Sequence, residues 1–200
     1  LREAVQSSLE EEGIRLIVRD AEADVDTQIQ QIDELIEQKV ECVFLCPADW
    51  EKITPALEAL NEAGIPVVNL DTEVKETGLV KAFVGSDNRN AGYVCGEDLV
   101  SRMPEGGRIV IVESSGINSI NERITGFEEA ILNGGFEVVR RIDAGSEQIG
   151  AVLRTLLDGE EIDAIMCGND VMAIQVLELL KQTKKQDILV YSVDGSPDTK

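Results

Sequence analysis

The chain has 200 residues, of which 43% are hydrophobic, and its 39 acidic and 18 basic residues give a net charge of −21. Such a charge argues against binding to nucleic acid, because neutralising phosphates requires Lys and Arg. No stretch approaches the roughly 20 apolar residues of a membrane-spanning helix. The length suffices for one large α/β domain or for two lobes of about 100 residues each.

The first half of the chain is predicted to alternate between helices and strands. The apolar spacing over residues 1–12 predicts the back half of a helix that Gly13 ends, so we expect the natural start of the protein to lie upstream. A 3.6-residue period predicts a helix over 24–39, and Asp49 is expected to cap another that runs to Ala63. Short apolar runs predict strands over 14–18, 43–45, 66–70 and 82–84.

The second half continues the alternation. A capping box formed by Ser119 and Glu122 predicts the start of a helix that reaches Leu132. The other predicted helices cover 89–103, 146–157 and 170–181, and the predicted strands cover 108–112, 136–140, 164–167 and 188–192. Alternating strands and helices joined by short loops favour an α/β fold with doubly wound parallel sheets.

The stretch FVGSDNRNAGYVCGE, residues 83–97, separates the two series of elements. A short strand ends in Gly-Ser-Asp-Asn, and a helix with small residues on one face follows. We interpret Ser86 and Asp87 as a crossing between two lobes. A ligand cleft between the lobes is the expected consequence.

The four cysteines show no metal-binding spacing, and the sequence contains no histidine. Cys42 and Cys46 lie in one predicted strand, about 13 Å apart along it. A disulfide requires Cα atoms within about 7 Å, so the two are not expected to pair. We predict that all four are buried small hydrophobes, and no metal site or cofactor is predicted.

Polar residues follow most of the predicted strands. Ligands of open α/β sheets bind beyond the carboxyl ends of the strands. Acids and amides dominate there, and Arg123 lies near the start of the helix after Glu113. These donors and acceptors suit a neutral polyhydroxylated ligand. The segments concerned are 46–50, 69–72, 113–116, 168–170 and 192–195.

Five motifs along more than half of the chain resemble the periplasmic sugar-binding proteins of the ribose-binding type. They are Asn69-Leu-Asp71, Ser86-Asp87-Asn88-x-x-Ala91-Gly92, Arg123-x-x-Gly126-Phe127, Asn169-Asp170-x-Met172-Ala173 and Val193-Asp194-Gly195-Ser196-Pro197. The resemblance implies a two-lobed clamshell that closes on a monosaccharide or polyol. By position, it assigns the sugar hydroxyls to Asp71, Arg123, Asn169 and Asp194.

The resemblance also implies boundaries, a location and partners. Residues 1–86 would form an N-terminal lobe without its first strand, residues 87–194 a C-terminal lobe, and residues 195–200 the start of a crossing back. The protein would act as an extracytoplasmic monomer in the periplasm or as a cell-surface lipoprotein. It would deliver its sugar to an ABC permease and touch the membrane only through that permease or a lipid anchor.

The chain departs from the family pattern at several site positions. Many members have Arg where this chain has Thr72, which we keep as a candidate ligand-binding residue, and Asn where it has Cys46. No aromatic residue lies near Ala144 and Gly145, where the family often stacks one on the sugar. Trp50 is a candidate replacement, since the C–H face of a sugar packs well on an aromatic ring. These differences argue against ribose and leave another sugar or a sugar alcohol.

Each site residue also has a purely structural interpretation. Asp71 and Asp194 suit turns, and Arg123 could pair with a glutamate on a solvated helix face. Trp50 fits a cleft wall or helix packing equally well. At the start of the helix over 170–181, we expect Asp170 to cap while Asn169 points into the cleft.

Two other function classes share parts of this pattern. The effector domain of a lactose-repressor-type regulator has the same fold, and so does the ectodomain of a membrane sensor; sequence outside this chain would distinguish them. An enzyme is disfavoured, because the chain has no histidine, Gly-x-Ser-x-Gly elbow, Walker loop or GxGxxG after a strand. A carboxylate pair of the glycosidase kind remains as the enzymatic alternative.

Overall fold

The computed structural model describes Gln6, Leu9 and residues 12–196. The helices and strands alternate along the chain, and we number them in order. The elements are α1 (Val25–Glu37), β1 (Val43–Leu45), α2 (Thr54–Glu62), β2 (Val67–Leu70), β3 (Ala82–Val84), α3 (Asn88–Arg102), β4 (Gly107–Glu113), α4 (Asn118–Ile131), β5 (Phe136–Asp143), α5 (Ile149–Gly159), β6 (Ala164–Cys167), α6 (Asp170–Thr183) and β7 (Leu189–Tyr191).

The strands form two separate parallel sheets. The first has the order β1-β2-β3, and the second has the order β5-β4-β6-β7. We call the first sheet with α1 and α2 the first lobe, and the second sheet with α3–α6 the second lobe. The predicted α/β class with parallel sheets flanked by helices is confirmed.

Each lobe has its own hydrophobic core. Leu57 and Leu60 of α2 pack with Val67 of β2 in the first lobe. In the second lobe, four consecutive residues of β4, 109–112, are fully buried. Strand β4 pairs with β5 and β6, and because successive side chains point to opposite faces of the sheet, the burial of all four residues means that both faces are covered. This explains why its sequence is a continuous apolar run rather than an alternating one.

Helices α3 and α4 pack with their backbones in contact. A Cβ built on Gly92 of α3 would overlap the carbonyl oxygen of Arg123, and one on Gly126 of α4 would overlap that of Arg89. A residue with a side chain would therefore push the helices apart at both points. This contact fixes the position of Arg123 relative to the start of α3.

Residues 85–87 connect the first sheet to the second lobe. Strand β3 ends at Val84, and α3 begins at Asn88. The Asp87 side chain caps α3 by accepting a hydrogen bond of 3.0 Å from the backbone N–H of Asn90. Ser86 and Asp87 thus lie at the connection between the lobes, while their role as a hinge and the lobe boundaries 1–86 and 87–194 stay predictions.

Three predicted elements are wrong in part. Residues 14–18 form no strand, because no described strand lies beside them to share backbone hydrogen bonds. Helix α2 begins at Thr54 with Pro55 in its first turn, and Asp49 instead accepts from the backbone of Glu51 and Lys52 in the preceding turn. No capping box opens α4. Its N-cap is Ile117, which makes no side-chain cap bond.

Other predictions fall at the ends of the chain or on the cysteines. The predicted helix over 1–12 and the crossing over 195–200 lie largely outside the described residues. Cys167 is buried as predicted, but Cys42 and Cys46 are exposed, so the prediction of four buried cysteines is wrong. All four are free thiols. Among the described residues, none of the helices combines the length and apolar character needed to cross a membrane.

Candidate functional site between the lobes

The two lobes touch where loops at the carboxyl ends of their strands meet. The hydroxyl of Thr72, which follows β2, lies 2.9 Å from the hydroxyl of Ser119 in the first turn of α4, and both residues are buried. Nearby, the backbone N–H of Trp50 donates to the carbonyl oxygen of Gly116 over 3.1 Å. These contacts bring the polar loops of both sheets to one interlobe face.

Arg123 lies on α4 one helical turn after Ser119, and it is only 7% exposed. Its Nε donates to Oδ1 of Asn88 over 2.9 Å, and its Nη1 donates to the carbonyl oxygen of Gly168 over 2.9 Å. Its Nη2 pairs with Asp194 Oδ1 at 3.0 Å. The guanidinium is thus held inside the second lobe and not by a glutamate on a solvated helix face.

Asp194 lies three residues after β7 and pairs with Arg123. Its side chain remains 46% exposed although one carboxylate oxygen pairs with Arg123. Its backbone has a φ of 119°, a value that side-chain-bearing residues rarely adopt. The carboxylate is therefore both anchored and open to solvent.

The prediction that Asp170 caps α6 is wrong, because the cap is Asn169. Asn169 is the N-cap of α6, and its Oδ1 accepts from the backbone N–H of Met172 over 3.0 Å. Asp170 is buried and accepts from the Ser192 hydroxyl and the Ser196 backbone N–H, each over 2.5 Å. Asp170 therefore ties the segment after β7, which carries Asp194, to the start of α6. Asn169 is half-buried, and no partner of its amide nitrogen lies among the described residues.

Asp71 occupies the first lobe's side of the interlobe face. It follows β2 with a φ of 65° and is exposed, and its backbone N–H donates to the carbonyl oxygen of Val84. The Cys46 sulfur lies 4.0 Å from its Oδ2. Although Cys46 is exposed overall, neighbouring atoms desolvate its sulfur, and this raises the pKa of the thiol, with the charge of Asp71 raising it further.

Thr72 and Trp50 lie at the interlobe contact. Thr72 is 2% exposed, so in this structure its hydroxyl serves the contact with Ser119 rather than a solvent-filled cleft. Trp50 is half-buried, and its carbonyl oxygen accepts from the Lys75 backbone N–H.

Two residues of this region were missed by the sequence reasoning. Asn88 was seen only as part of a motif, and Ser119 only as a helix cap, yet both contact residues of the predicted site. Asn88 could have been found from its position. A residue directly after the crossing at Ser86 and Asp87 lies at the start of α3, so its side chain can face the element that packs there. Ser119 offered no signal beyond its position after a strand end.

A cleft of about 160 Å³ opens on the connection side of the Thr72–Ser119 contact. Phe83 and Ser86 line it from the first lobe's side, and Asn118 and Glu122 from α4. Within the described residues, no group of three or more His, Cys, Asp or Glu side chains could hold a metal ion.

Comparison with known proteins identifies the family. The model of the periplasmic binding protein domain matches residues 1–200, the whole chain. The chain belongs to this family. The predicted resemblance to its sugar-binding, ribose-binding type is confirmed.

Relatives of this periplasmic binding protein support the same placement. The ribose import binding protein of Bacillus subtilis is 30% identical over 99% of this chain. The chain spans 65% of the length of that relative. A galactofuranose binding protein superposes with a TM-score of 0.87 at 27% identity, covering 96% of this chain and 70% of the other. The binding protein of an arabinose ABC transporter from Shewanella sp. ANA-3 gives a TM-score of 0.86 at 27% identity, over 99% and 70%.

The predicted site residues of this periplasmic binding protein fall into two groups. Arg123, Asp194 and Asn169 lie together in the second lobe, because Arg123 bonds to Asp194 and to the residue before Asn169. Asp71 and Thr72 follow β2 in the first lobe. The Thr72–Ser119 bond brings the two groups to the same interlobe face.

Proposed function

We propose that the protein is an extracytoplasmic solute-binding protein that captures a monosaccharide or related polyol between its lobes and delivers it to an ABC importer. One observation carries the proposal. The buried Arg123 of the second lobe, which is anchored by the partly exposed Asp194, lies one helical turn after Ser119, and the exposed Asp71 of the first lobe directly precedes Thr72, the partner of Ser119 across the interlobe contact. Names of the relatives above, which are import or transporter binding proteins for sugars, support this function over a repressor effector domain.

The donors and acceptors of this face suit sugar hydroxyls. A guanidinium has five N–H donors, and Arg123 uses three of them within the protein. The other two, the amide nitrogen of Asn169 and the open oxygen of Asp194 provide donors beside acceptors. Because Asp194 balances the charge of Arg123, a neutral ligand is favoured over an ionic one.

The energies fit a binding protein. A hydrogen bond to a charged group contributes about 1.5–3 kcal/mol net. Four or five such bonds account for much of the roughly 8 kcal/mol of a micromolar dissociation constant. Trp50 would add apolar contact to the C–H face of the sugar, and Thr72 would contribute by holding the lobes together.

Closure would couple binding to recognition by the importer. A ligand that contacts Asp71 and Arg123 touches both lobes, so it binds the closed arrangement more tightly than an open one. Rotation would occur at Ser86 and Asp87, between a lobe of residues 1–86 and a lobe of residues 87–194. The protein would act as a monomer, carry out no reaction on the sugar and need no cofactor.

Calorimetric titration of full-length protein tests the proposal. A thermal-shift screen with D-ribose, L-arabinose, D-galactose and ribitol would first identify the best probe, since ligand binding raises apparent stability. Arg123→Ala and Asp71→Asn are each expected to weaken binding of that probe tenfold or more, about 1.4 kcal/mol. Asparagine is chosen at position 71 because it tolerates the positive φ.

Arg154→Ala is the matched control for the lost charge. Arg154 is exposed on α5, a helix that carries none of the predicted site residues, and among the described residues it bonds only to Gln182. It is expected to leave the dissociation constant within twofold. Unchanged affinity in both Arg123→Ala and Asp71→Asn would contradict the proposed site.

A further inference from the structure

Asn88 occupies a position between the lobe connection and the proposed sugar site. It is the first residue of α3, directly after Ser86 and Asp87, and it is only 8% exposed. A polar amide buried to this degree requires partners on its oxygen and its nitrogen. The partners it has link two parts of the molecule that are distant in sequence.

The two ends of the Asn88 side chain bond in different directions. Its Oδ1 accepts from Nε of Arg123 over 2.9 Å, and its Nδ2 donates to the carbonyl oxygen of Ser86 over 3.2 Å. The amide therefore bridges the backbone of the connection to the guanidinium. As a neutral acceptor it orients Arg123 without cancelling its charge.

The surrounding backbone makes this bridge stiff. Gly92 and Gly126 bring α3 and α4 into backbone contact, so the start of α3 and the Cα of Arg123 move together. Asp87 caps α3 and fixes its first turn. A rotation at Ser86 would therefore act on Arg123 through the Asn88 side chain.

The bond to Nε also decides where the remaining donors point. The other contacts of Arg123, with Gly168 and Asp194, hold its two terminal nitrogens. The planar guanidinium is fully oriented only when Nε is held too. Without Asn88 only the contacts of the two terminal nitrogens with Gly168 and Asp194 would remain, so the guanidinium plane could tilt about the line that joins them.

We propose that Asn88 is a positioning residue, which orients the Arg123 guanidinium toward the sugar and ties it to the backbone of the lobe connection. The inference rests on the proposed function, because it assigns Asn88 an effect on binding that acts through Arg123. The ligand does not need to touch Asn88.

A double-mutant cycle by calorimetry tests this inference, using the best probe among D-ribose, L-arabinose, D-galactose and ribitol. Asn88→Ala is expected to weaken binding about five- to tenfold. In an Arg123→Ala background the same change is expected to alter the dissociation constant less than twofold, because residues that act as one unit are not additive. Asn88→Asp keeps the acceptor for Nε but loses the donor to Ser86 and adds a charge, so it is expected to bind more tightly than Asn88→Ala and less tightly than the unaltered protein.

Asn69→Ala is the matched control. Asn69 is also buried, and its amide bonds to the backbone of Leu45, Thr72 and Val74 in the first lobe. If Asn69→Ala weakens binding, the same fold loss is expected in the Arg123→Ala background. If Asn88→Ala does not fold, Asn88→Leu replaces it, since leucine fills a similar volume without hydrogen-bonding groups.

The outcomes separate the inference from the proposed function. Unchanged affinity in Arg123→Ala would remove the proposed role of Arg123 and with it the basis for Asn88. A large loss in Arg123→Ala together with no loss in Asn88→Ala would overturn the positioning role alone. An Asn88→Ala loss of equal size in both backgrounds would overturn it as well, because it would mean that Asn88 acts independently of Arg123.

Discussion

The guanidinium of Arg123 shows why a residue at this site must be considered with its partners. A buried charge is stable only where hydrogen bonds replace the water it has lost. Asn88, Gly168 and Asp194 make that replacement, and they come from three separate segments of the chain. The site therefore depends on the second lobe's fold as much as on the identity of the arginine.

The pKa of the Cys46 thiol depends in part on the charge of Asp71. Its thiol pKa is raised first by burial of the sulfur and then by the Asp71 carboxylate, and a raised pKa means a smaller thiolate fraction at any pH below it. Asp71→Asn removes the second cause, so the pKa falls and the thiolate fraction grows. We expect iodoacetamide to alkylate Cys46 faster at pH 8 in Asp71→Asn, as followed by peptide mass spectrometry.

Cys42 serves as the control within the same molecule. The residue as a whole is also exposed, but partial burial of its sulfur raises the pKa of the thiol, and Asp71 makes no contribution. Its alkylation rate is expected to be the same in both proteins. An unchanged Cys46 rate beside an unchanged Cys42 rate would show that Asp71 exerts no charge effect on the thiol.

At the residue scale, the sequence was informative about which residues matter but less so about what each one does. The family motifs selected Arg123, Asp194 and Asn169, which the structure places together. Which of Asn169 and Asp170 caps α6 was not predictable, because both residue types cap helices well. The Asp170 side chain is instead held by Ser192 and Ser196, which follow β7, the strand paired with β6.

At the scale of elements, periodicity predicted those helices and strands whose neighbours are present. The apolar run of β4 predicted a buried strand because β5 and β6 flank it. The similar run over 14–18 has no strand beside it within the described residues, and it forms none. A strand forms only when a neighbouring strand pairs with its backbone, so the apolar pattern of one segment is not enough to predict it.

The contact between α3 and α4 gives a sharp prediction at this scale. Gly92→Ala places a methyl group against the carbonyl of Arg123, where neither backbone can yield without separating the helices. We expect the free energy of unfolding to fall by about 1–3 kcal/mol or more, as measured by urea denaturation. Sugar affinity should fall too, because Arg123 shifts with its backbone.

Gly150→Ala is the matched control for a glycine in a helix. Gly150 lies in α5, and a Cβ there would meet nothing within 4 Å. Alanine at this position is expected to stabilise the protein by about 0.5–1 kcal/mol through its better helix propensity. Equal stability of the Gly92→Ala protein and the unaltered one would contradict the close approach of the two helices.

At the scale of the whole molecule, the two lobes contact each other through few polar groups. The Thr72 and Ser119 hydroxyls, together with the Trp50–Gly116 backbone bond, join them beside the proposed sugar site. No sequence pattern indicated this contact, since it joins a loop after β2 to a helix 47 residues further on. Because it joins the lobes directly, it bears on the balance between closed and open arrangements.

Ser119→Ala tests the contribution of this hydroxyl pair to the closed arrangement. It leaves the Thr72 hydroxyl buried without its partner when the lobes touch, whereas water can satisfy that hydroxyl when they separate. Such a loss costs about 1–3 kcal/mol, and each 1.4 kcal/mol changes the ratio of closed to open molecules about tenfold. We expect a larger radius of gyration without sugar, measured by small-angle X-ray scattering, and weaker sugar binding.

The double variant Thr72→Val/Ser119→Ala distinguishes a specific hydrogen bond from general packing. It removes both hydroxyls, so nothing polar is left buried and unpaired, and replacing both partners of a buried bond can be nearly neutral. The radius of gyration should therefore return toward that of the unaltered protein. Thr125→Val is the control, because the Thr125 hydroxyl bonds to Asn121 within α4 and does not cross between the lobes. A double variant as open as Ser119→Ala alone would show that the hydroxyl pair does not hold the lobes together.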